Sequence, residues 1–250
     1  MTAPPLLTLL VLCPVAGLLA ILLIPGAHKT AIRVAAALSG LAACVVTALI
    51  AFHFDRHAAG YQLVEQVPWI PTVGIEYHVG VDGISLALLV LTSIVFLTGV
   101  LVMWELENRV KEFFAFMTLL VTGVFGVFVS LDLFFFLFFY EVAVLPMYLL
   151  IAVWGSTRKE YGAMKLTLYL LAGTALVVPA VLALYVTSDP HTFDMTRLAA
   201  TAFDPRFQTI VFPFLFLGLA CWRACGPSTP GRRSATSPRP PPCPCCMPAS

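Results

Sequence analysis

Charge is scarce in this chain. Only 11% of its 250 residues are Asp, Glu, Lys or Arg, while 60% are hydrophobic, and mean hydropathy is +0.95. A water-soluble domain of this length leaves roughly half of its residues facing solvent, and so few polar groups cannot supply that surface. The composition therefore excludes a soluble globular protein and indicates a membrane-integral one. A formal net charge of +1 gives no electrostatic basis for a nucleic-acid partner. Dinucleotide-binding and phosphate-binding glycine motifs are absent, and no paired CxxC occurs before residue 220. No cluster of His, Cys and carboxylates has metal-ligand spacing. Redox centres are accordingly expected on other chains.

What is present is a series of long apolar runs. A bilayer helix needs about 20 such residues. Seven segments are predicted: Pro5–Ile24, Ala31–Phe52, Ile84–Met103, Phe113–Val129, Leu131–Trp154, Ala163–Val186 and a seventh, Gln208–Ala220, cut short at about 13 residues. The fold class is thus an all-α polytopic transmembrane bundle. The first run lacks preceding basic residues and is too long for a signal-peptide core, so it is read as a retained span.

The connecting loops alternate in charge. Lys29, Arg33, Arg109, Lys111, Arg158 and Lys159 fall in one set, and Arg56, Arg197 and Arg206 in the other. The positive-inside rule places the richer set in the cytoplasm and the N-terminus outside. Trp104 and Trp154 fall at span ends on the cytoplasmic side, as interfacial aromatics do. Residues 54–80, with their Val, Ile and Tyr punctuated by Pro and Gly, are expected to form an extracytoplasmic hairpin on the helix ends. Asp82 is read as the cap of the third helix, and His53 as interfacial.

Three charges lie in or near the spans: Asp132, Glu141 and Lys165. Asp132 opens the fifth span, where a first-turn acid suits the helix dipole. Glu141 stands in "LFFFLFFYEVAVLPMYLL", about 15 Å along the helix axis and so near the bilayer centre. An ionised acid there costs on the order of 3 kcal/mol on insertion scales. It must face protein or water, because Glu cannot reach an interface from that depth. Burial disfavours its charged form and a nearby cation restores it, so its charge is switchable. Two readings stand: a proton-translocation site, or a protonated acid that joins helices by hydrogen bonding. Pro146 frees a backbone carbonyl close to Glu141, either to admit water or as a packing kink, and Pro179 in the sixth span invites the same two readings. Lys165 either snorkels to the headgroups or faces inward to balance an acid.

"GVDGISLALL", "ELENRVKEFFAFMTLLVTGVFGVFVSLDLFFFLFFYEVAVLPMYLLIAVWG" and "YGAMKLTLYLLAG" resemble chain M of proton-translocating NADH-quinone oxidoreductase, the homologue of mitochondrial subunit 4, over roughly residues 5 to 220. "LPMYLLI" is the most specific part. The resemblance implies the N-terminal half of an antiporter-like fold of about fourteen helices with inverted repeats, a general transporter device. It implies that Glu141 and Lys165 belong to a chain of ionisable groups that moves protons. It also implies partner membrane subunits of a respiratory complex in a bacterial inner membrane, with NADH, FMN, iron–sulfur clusters and quinone held by those partners and no cofactor on this chain. A related reading is a subunit of an Mrp-type cation/proton antiporter or a membrane-bound hydrogenase, against which "LPMYLLI" argues.

From residue 221 the character changes. "CWRACGPSTPGRRSATSPRPPPCPCCMPAS" holds eight Pro, four Arg, five Cys and no acid. Such a composition cannot build a core, which permits a disordered tail; its cysteines lack the remaining ligands of a zinc site. A reading frame moved by one nucleotide is compatible with codons for the "PFHTW" and "APT" region that follows in chain M relatives. We therefore expect a frameshift near residue 220, and a truncated, non-functional product is the third reading.

Overall fold

The computed structural model describes residues 5–55, 60–70, 74–155, 159–188, 191–201 and 203–223. The tail beyond its first three residues, which are the end of a helix, lies outside these residues, as do Arg56 and Arg158. Among the described residues, six helices are long and apolar enough to cross a membrane. They are α1 (Leu6–Leu23), α2 (Lys29–His53), α3 (Gly83–Val102), α4 (Val110–Val129), α5 (Leu133–Trp154) and α6 (Lys159–Thr187). A short α7 (Met195–Ala200) and an apolar α8 (Pro205–Arg223) follow. Between α2 and α3, strands β1 (Gln62–Ile70) and β2 (Ile75–Val81) pair antiparallel. Register shifts fall between Gln62 and Glu65 and between Pro68 and Ile70, and Leu63 lies at φ 54° within the first of them.

The two ends of the bundle differ chemically. At the hairpin end, helices begin on aspartates. Asp82 Oδ1 accepts from Ser85 N at 2.7 Å, Asp132 Oδ1 from Phe134 N at 2.8 Å, Asp194 Oδ1 from Thr196 N at 2.9 Å, and Asp204 Oδ1 from Arg206 N at 3.1 Å. Each acid satisfies amides that a helix start leaves free and meets the positive end of its dipole. The side chain of Pro5 cannot cap α1, and the hairpin does so instead: Glu65 accepts from Leu7 N at 3.0 Å and from Thr8 N at 3.3 Å.

At the opposite end, basic side chains close the helix C-termini. Lys111 Nζ donates to Leu22 O at 2.8 Å, Arg33 to Leu106 O at 3.0 Å, Lys29 Nζ to Glu107 O at 3.3 Å, and Lys159 Nζ to Val153 O at 2.7 Å. Trp154 Nε1 donates to Asn108 O at 3.1 Å beside them.

Two spans differ in extent from the hydropathy reading. Helix α6 begins at Lys159 rather than Ala163, because Lys159 both starts the helix and reaches back to α5. Helix α8 runs over 19 residues rather than 13. Pro205 supplies a first-turn residue preset for the helix and Asp204 caps it, so polar residues that hydropathy rejects are helical. Helix α7 occupies a connection read only as a loop.

Helix α4 holds the centre, with half of its span buried against 11% for α5. Thr118 and Thr122 sit buried on α4 and return their hydroxyls to Phe114 O and Thr118 O, so neither hydroxyl is idle. Two glycines bring α5 close. A Cβ on Gly123 would lie 2.8 Å from Phe139 O and Ala143 N, and one on Gly126 would overlap the Phe139 ring. The α4–α5 approach is therefore set by backbone contact.

Candidate functional site

Helix α5 carries Glu141 at its ninth position. Phe134, Leu137 and Phe138, from the preceding two turns, line a cleft of ≈ 350 Å³ with it. Helix α6 closes the other wall with Thr174, Val178, Val181 and Leu182, and Phe193 lies at the mouth nearest α7. Apart from Glu141 and Thr174, these lining side chains are hydrocarbon. Glu141 is half-buried, and Thr174 Oγ1 donates to its Oε1 at 2.9 Å. The same hydroxyl lies 3.2 Å from Leu170 O, so it can also serve its own helix. Thr174 was not singled out from the sequence. A threonine inside an apolar helix usually bonds its own i−4 carbonyl, and nothing in the local sequence distinguishes one that also serves a neighbour.

Helix α5 continues through Pro146, which is buried. Its missing amide leaves Val142 O, the residue after Glu141, without the usual intrahelical donor. Lys165 stands on α6, nine residues before Thr174, so about 13 Å along the axis towards the basic end. It is half-buried, and its ammonium lies 5.8 Å from the centroid of the exposed Tyr161 ring. Among the described residues no ion pair joins Lys165 to Glu141. The two predicted site residues thus share one helix pair but not one contact. Asp132 and Asp82 are helix caps, and His53 Nδ1 contacts Leu49 O at 2.8 Å on the exposed end of α2.

A third polar group forms where the hairpin meets the helix ends. His78 of β2, Asp132 at the start of α5 and Asp194 at the start of α7 are all buried. Backbone links draw these segments together: Leu131 N donates to His78 O, Leu133 N to Phe193 O and Met195 N to Leu131 O. No sequence motif announces this cluster, because its members come from three distant stretches.

Comparison with known proteins gives these observations a frame. Residues 130–225, from just before α5 to beyond α8, match the family "NADH:quinone oxidoreductase/Mrp antiporter, TM". The NAD(P)H-quinone oxidoreductase chain 4 of Gloeobacter violaceus is 33% identical over 216 residues, 86% of this chain and 41% of that protein. A chain of the same name from Picosynechococcus is 38% identical over 184 residues, covering 72% of this chain and 33% of that one. The chain thus spans about two-fifths or less of the length of these relatives. Among solved structures, a chain of respiratory complex I from Thermus thermophilus with bound NADH superposes with TM-score 0.71 at 26% identity, over 87% of this chain and 43% of that one. A chain of the Mrp complex from Dietzia shares the fold, with TM-score 0.66 and 18% identity over 85% of this chain and 23% of that one. The apolar six-span bundle and these matches agree, and the chain belongs to the NADH:quinone oxidoreductase/Mrp antiporter membrane family.

Proposed function

We propose that this chain is part of a proton-translocating membrane subunit of an NADH:quinone oxidoreductase, with Glu141 as a proton-carrying group. The observation that carries the reading is the setting of Glu141. One carboxyl stands midway along a membrane helix, in a cleft, with a single neutral hydroxyl as its hydrogen-bond partner among the described residues. A structural acid at that depth is expected to be fixed by a cation or by several donors, whereas a carrier must be able to gain and lose its proton cheaply. Lys165 acts at a distance. The rise of about 13 Å between Lys165 and Thr174 sets the scale of the separation, and at that scale and an effective dielectric near 20 two unit charges interact by on the order of 1 kcal/mol. NADH oxidation, the flavin and iron–sulfur centres and quinone reduction belong to partner subunits, and this chain alone performs no redox catalysis.

The basic end faces the cytoplasm and the hairpin end, with the N-terminus, faces outward. The support is the gathering of Lys29, Arg33, Lys111 and Lys159 at one end and of helix-capping aspartates at the other. Relatives named as quinone-oxidoreductase chains favour this reading over an Mrp-type antiporter, for which the likeness is one of fold.

The test places Glu141→Gln in the full-length subunit within its assembled complex. Proton pumping driven by NADH in membrane vesicles is expected to fall to about a tenth or less, with the complex still assembled. Pumping at the unsubstituted rate would show that the acid only joins helices.

A further inference from the structure

The cluster at the helix ends has an unbalanced charge. His78, Asp132 and Asp194 are 3%, 0% and 2% exposed. The surrounding elements contribute Glu76 from β2 and Arg197 from α7; β1 presents the neutral Gln66, and the end of α6 presents Ser188. His191 turns instead to Tyr185 O on the exposed side. Three carboxylates therefore face one guanidinium. That guanidinium serves two of them: Arg197 Nε lies 3.4 Å from Asp194 Oδ2 and its terminal nitrogen 3.6 Å from Glu76 Oε2.

The two buried acids are not equivalent. Asp194 Oδ1 accepts from Thr196 N at 2.9 Å and Thr196 Oγ1 at 2.7 Å, and it lies 3.3 Å from His78 Nδ1. With Arg197 on its other oxygen, it is fully supplied with positive or donor groups. Asp132 uses only one oxygen, on Phe134 N and Phe135 N, and its Oδ2 has no hydrogen-bond partner. A bare carboxylate oxygen with no exposure is among the costliest states a protein can hold, and a proton removes the charge.

We propose that Asp132, Asp194 and His78 form a further proton-binding site, in which Asp132 carries the proton and Asp194 is held between His78 and Arg197. Gln66 Nε2 contacts His78 Nε2 at 3.0 Å, and Nδ1 of the same ring lies 3.3 Å from Asp194 Oδ1 without forming a hydrogen bond. Burial pushes the Asp132 carboxyl up from its ordinary 3.8, against the pull of the Phe135, Phe134 and Glu76 amides, and the Asp194 charge pushes it further up. The site closes the end of the Glu141 cleft, since Phe134 and Phe193 line that cleft and adjoin Asp132 and Asp194 in sequence. It stands independently of the role given to Glu141, because its evidence is its own charge balance.

The test is infrared difference spectroscopy of the full chain in lipid nanodiscs, with aspartate labelled by carbon-13 at the side-chain carboxyl. A protonated aspartate band is expected to persist above the ordinary carboxylate range and to vanish on further alkalinisation. Asp132→Asn should abolish it while keeping the helix cap, since Asn caps as well as Asp. Asp194→Asn should move its disappearance to lower pH, because a neighbouring negative charge has been removed. No aspartic-acid band above the ordinary carboxylate range, or a band that survives Asp132→Asn, overturns the proposal. A titration unmoved by Asp194→Asn overturns it too, and this arm stands even if Asp132→Asn fails to fold.

Discussion

Glu141 and Asp132 stand nine residues apart on one helix, about 13 Å along its axis, yet their surroundings are opposites. Glu141 has an apolar cleft and one hydroxyl. Asp132 has two amides, a neighbouring aspartate, and an imidazole and a guanidinium one contact further out. The first acid is costly because it is alone, and nothing in the fold depends on its charge. The second is costly because it is crowded, and the starts of α5 and α7 are built around its cluster. On the proposed reading, the same residue class serves proton exchange in one place and anchors helix starts in the other. The comparison predicts a division: changes at Glu141 should cost transport more than folding, and changes at Asp132 the reverse.

The largest expected effect is the loss of pumping in Glu141→Gln, with thermal unfolding of the purified chain nearly unchanged. A marked loss of stability in that variant would break the division, since it would give Glu141 the structural role reserved for Asp132. Next comes Gly126→Leu on α4. Its side chain would meet the Phe139 ring and force α5 outward, at a cost of about 1–3 kcal/mol of overpacking. Thermal unfolding in nanodiscs checks the cost, and pumping should fall as well because Glu141 moves with α5.

Legibility in the sequence follows the same line. The spans could be read because a membrane helix announces itself by length and hydropathy alone. Glu141 could be read for a related reason: an acid flanked by Phe, Tyr, Val and Leu is visible against its neighbours. Asp82 and Asp132 could be read as caps from position. The hairpin was readable from its Val, Ile and Tyr with Pro and Gly breaks, but its bulge at Leu63 was not. Thr174 could not be distinguished from other helical threonines, and Lys165 could not be placed relative to Glu141 without the helix pairing. His78 with Asp132 and Asp194 was invisible, because β2, α5 and α7 meet only in three dimensions. The extent of α8 was also missed, since a cap at Asp204 and a proline at the first turn extend a helix beyond its apolar run.

Thr174→Val should give an intermediate effect. It keeps the shape of the side chain and removes the donor to Glu141 Oε1. Hydrogen bonds to charged groups are worth about 1.5–3 kcal/mol, so pumping should slow by about tenfold, with assembly intact. An unchanged rate would mean that the hydroxyl serves Leu170 O during transport and that Glu141 works without it.

A smaller effect is expected at Asp132, and it depends on pH. Its carboxyl is raised in the folded chain, so the folded state holds this proton more tightly than the unfolded one. The resulting stabilisation is fully present below the ordinary value of 3.8 and is lost as pH rises through the folded value. Asp132→Asn removes the ionisation, so it should gain stability relative to the native chain as pH rises. Asp132→Ala also removes the cap and should lose about 0.5–2 kcal/mol. Unfolding temperatures of the three proteins across pH separate the cap from the charge. If Asp132→Asn and the native chain keep a constant difference at all pH values, burial of an ionisable group is not what sets Asp132 apart from Glu141.

The smallest effect is assigned to Lys165. It stands near the basic end with its ammonium against Tyr161, an arrangement that suits an anchor in the headgroup layer. Its position on α6, the helix that also supplies Thr174, suits an electrostatic bias on Glu141. The two roles respond differently to substitution. A bias of about 1 kcal/mol predicts that Lys165→Ala slows pumping by about fivefold and that Lys165→Arg, which keeps the charge, restores it. An anchor predicts an unchanged turnover in both variants. Pumping measured at fixed complex content decides between them. A fivefold loss rescued by arginine would make Glu141 less solitary than its contacts show, because its charge would then be tuned from two turns and more away through the membrane interior.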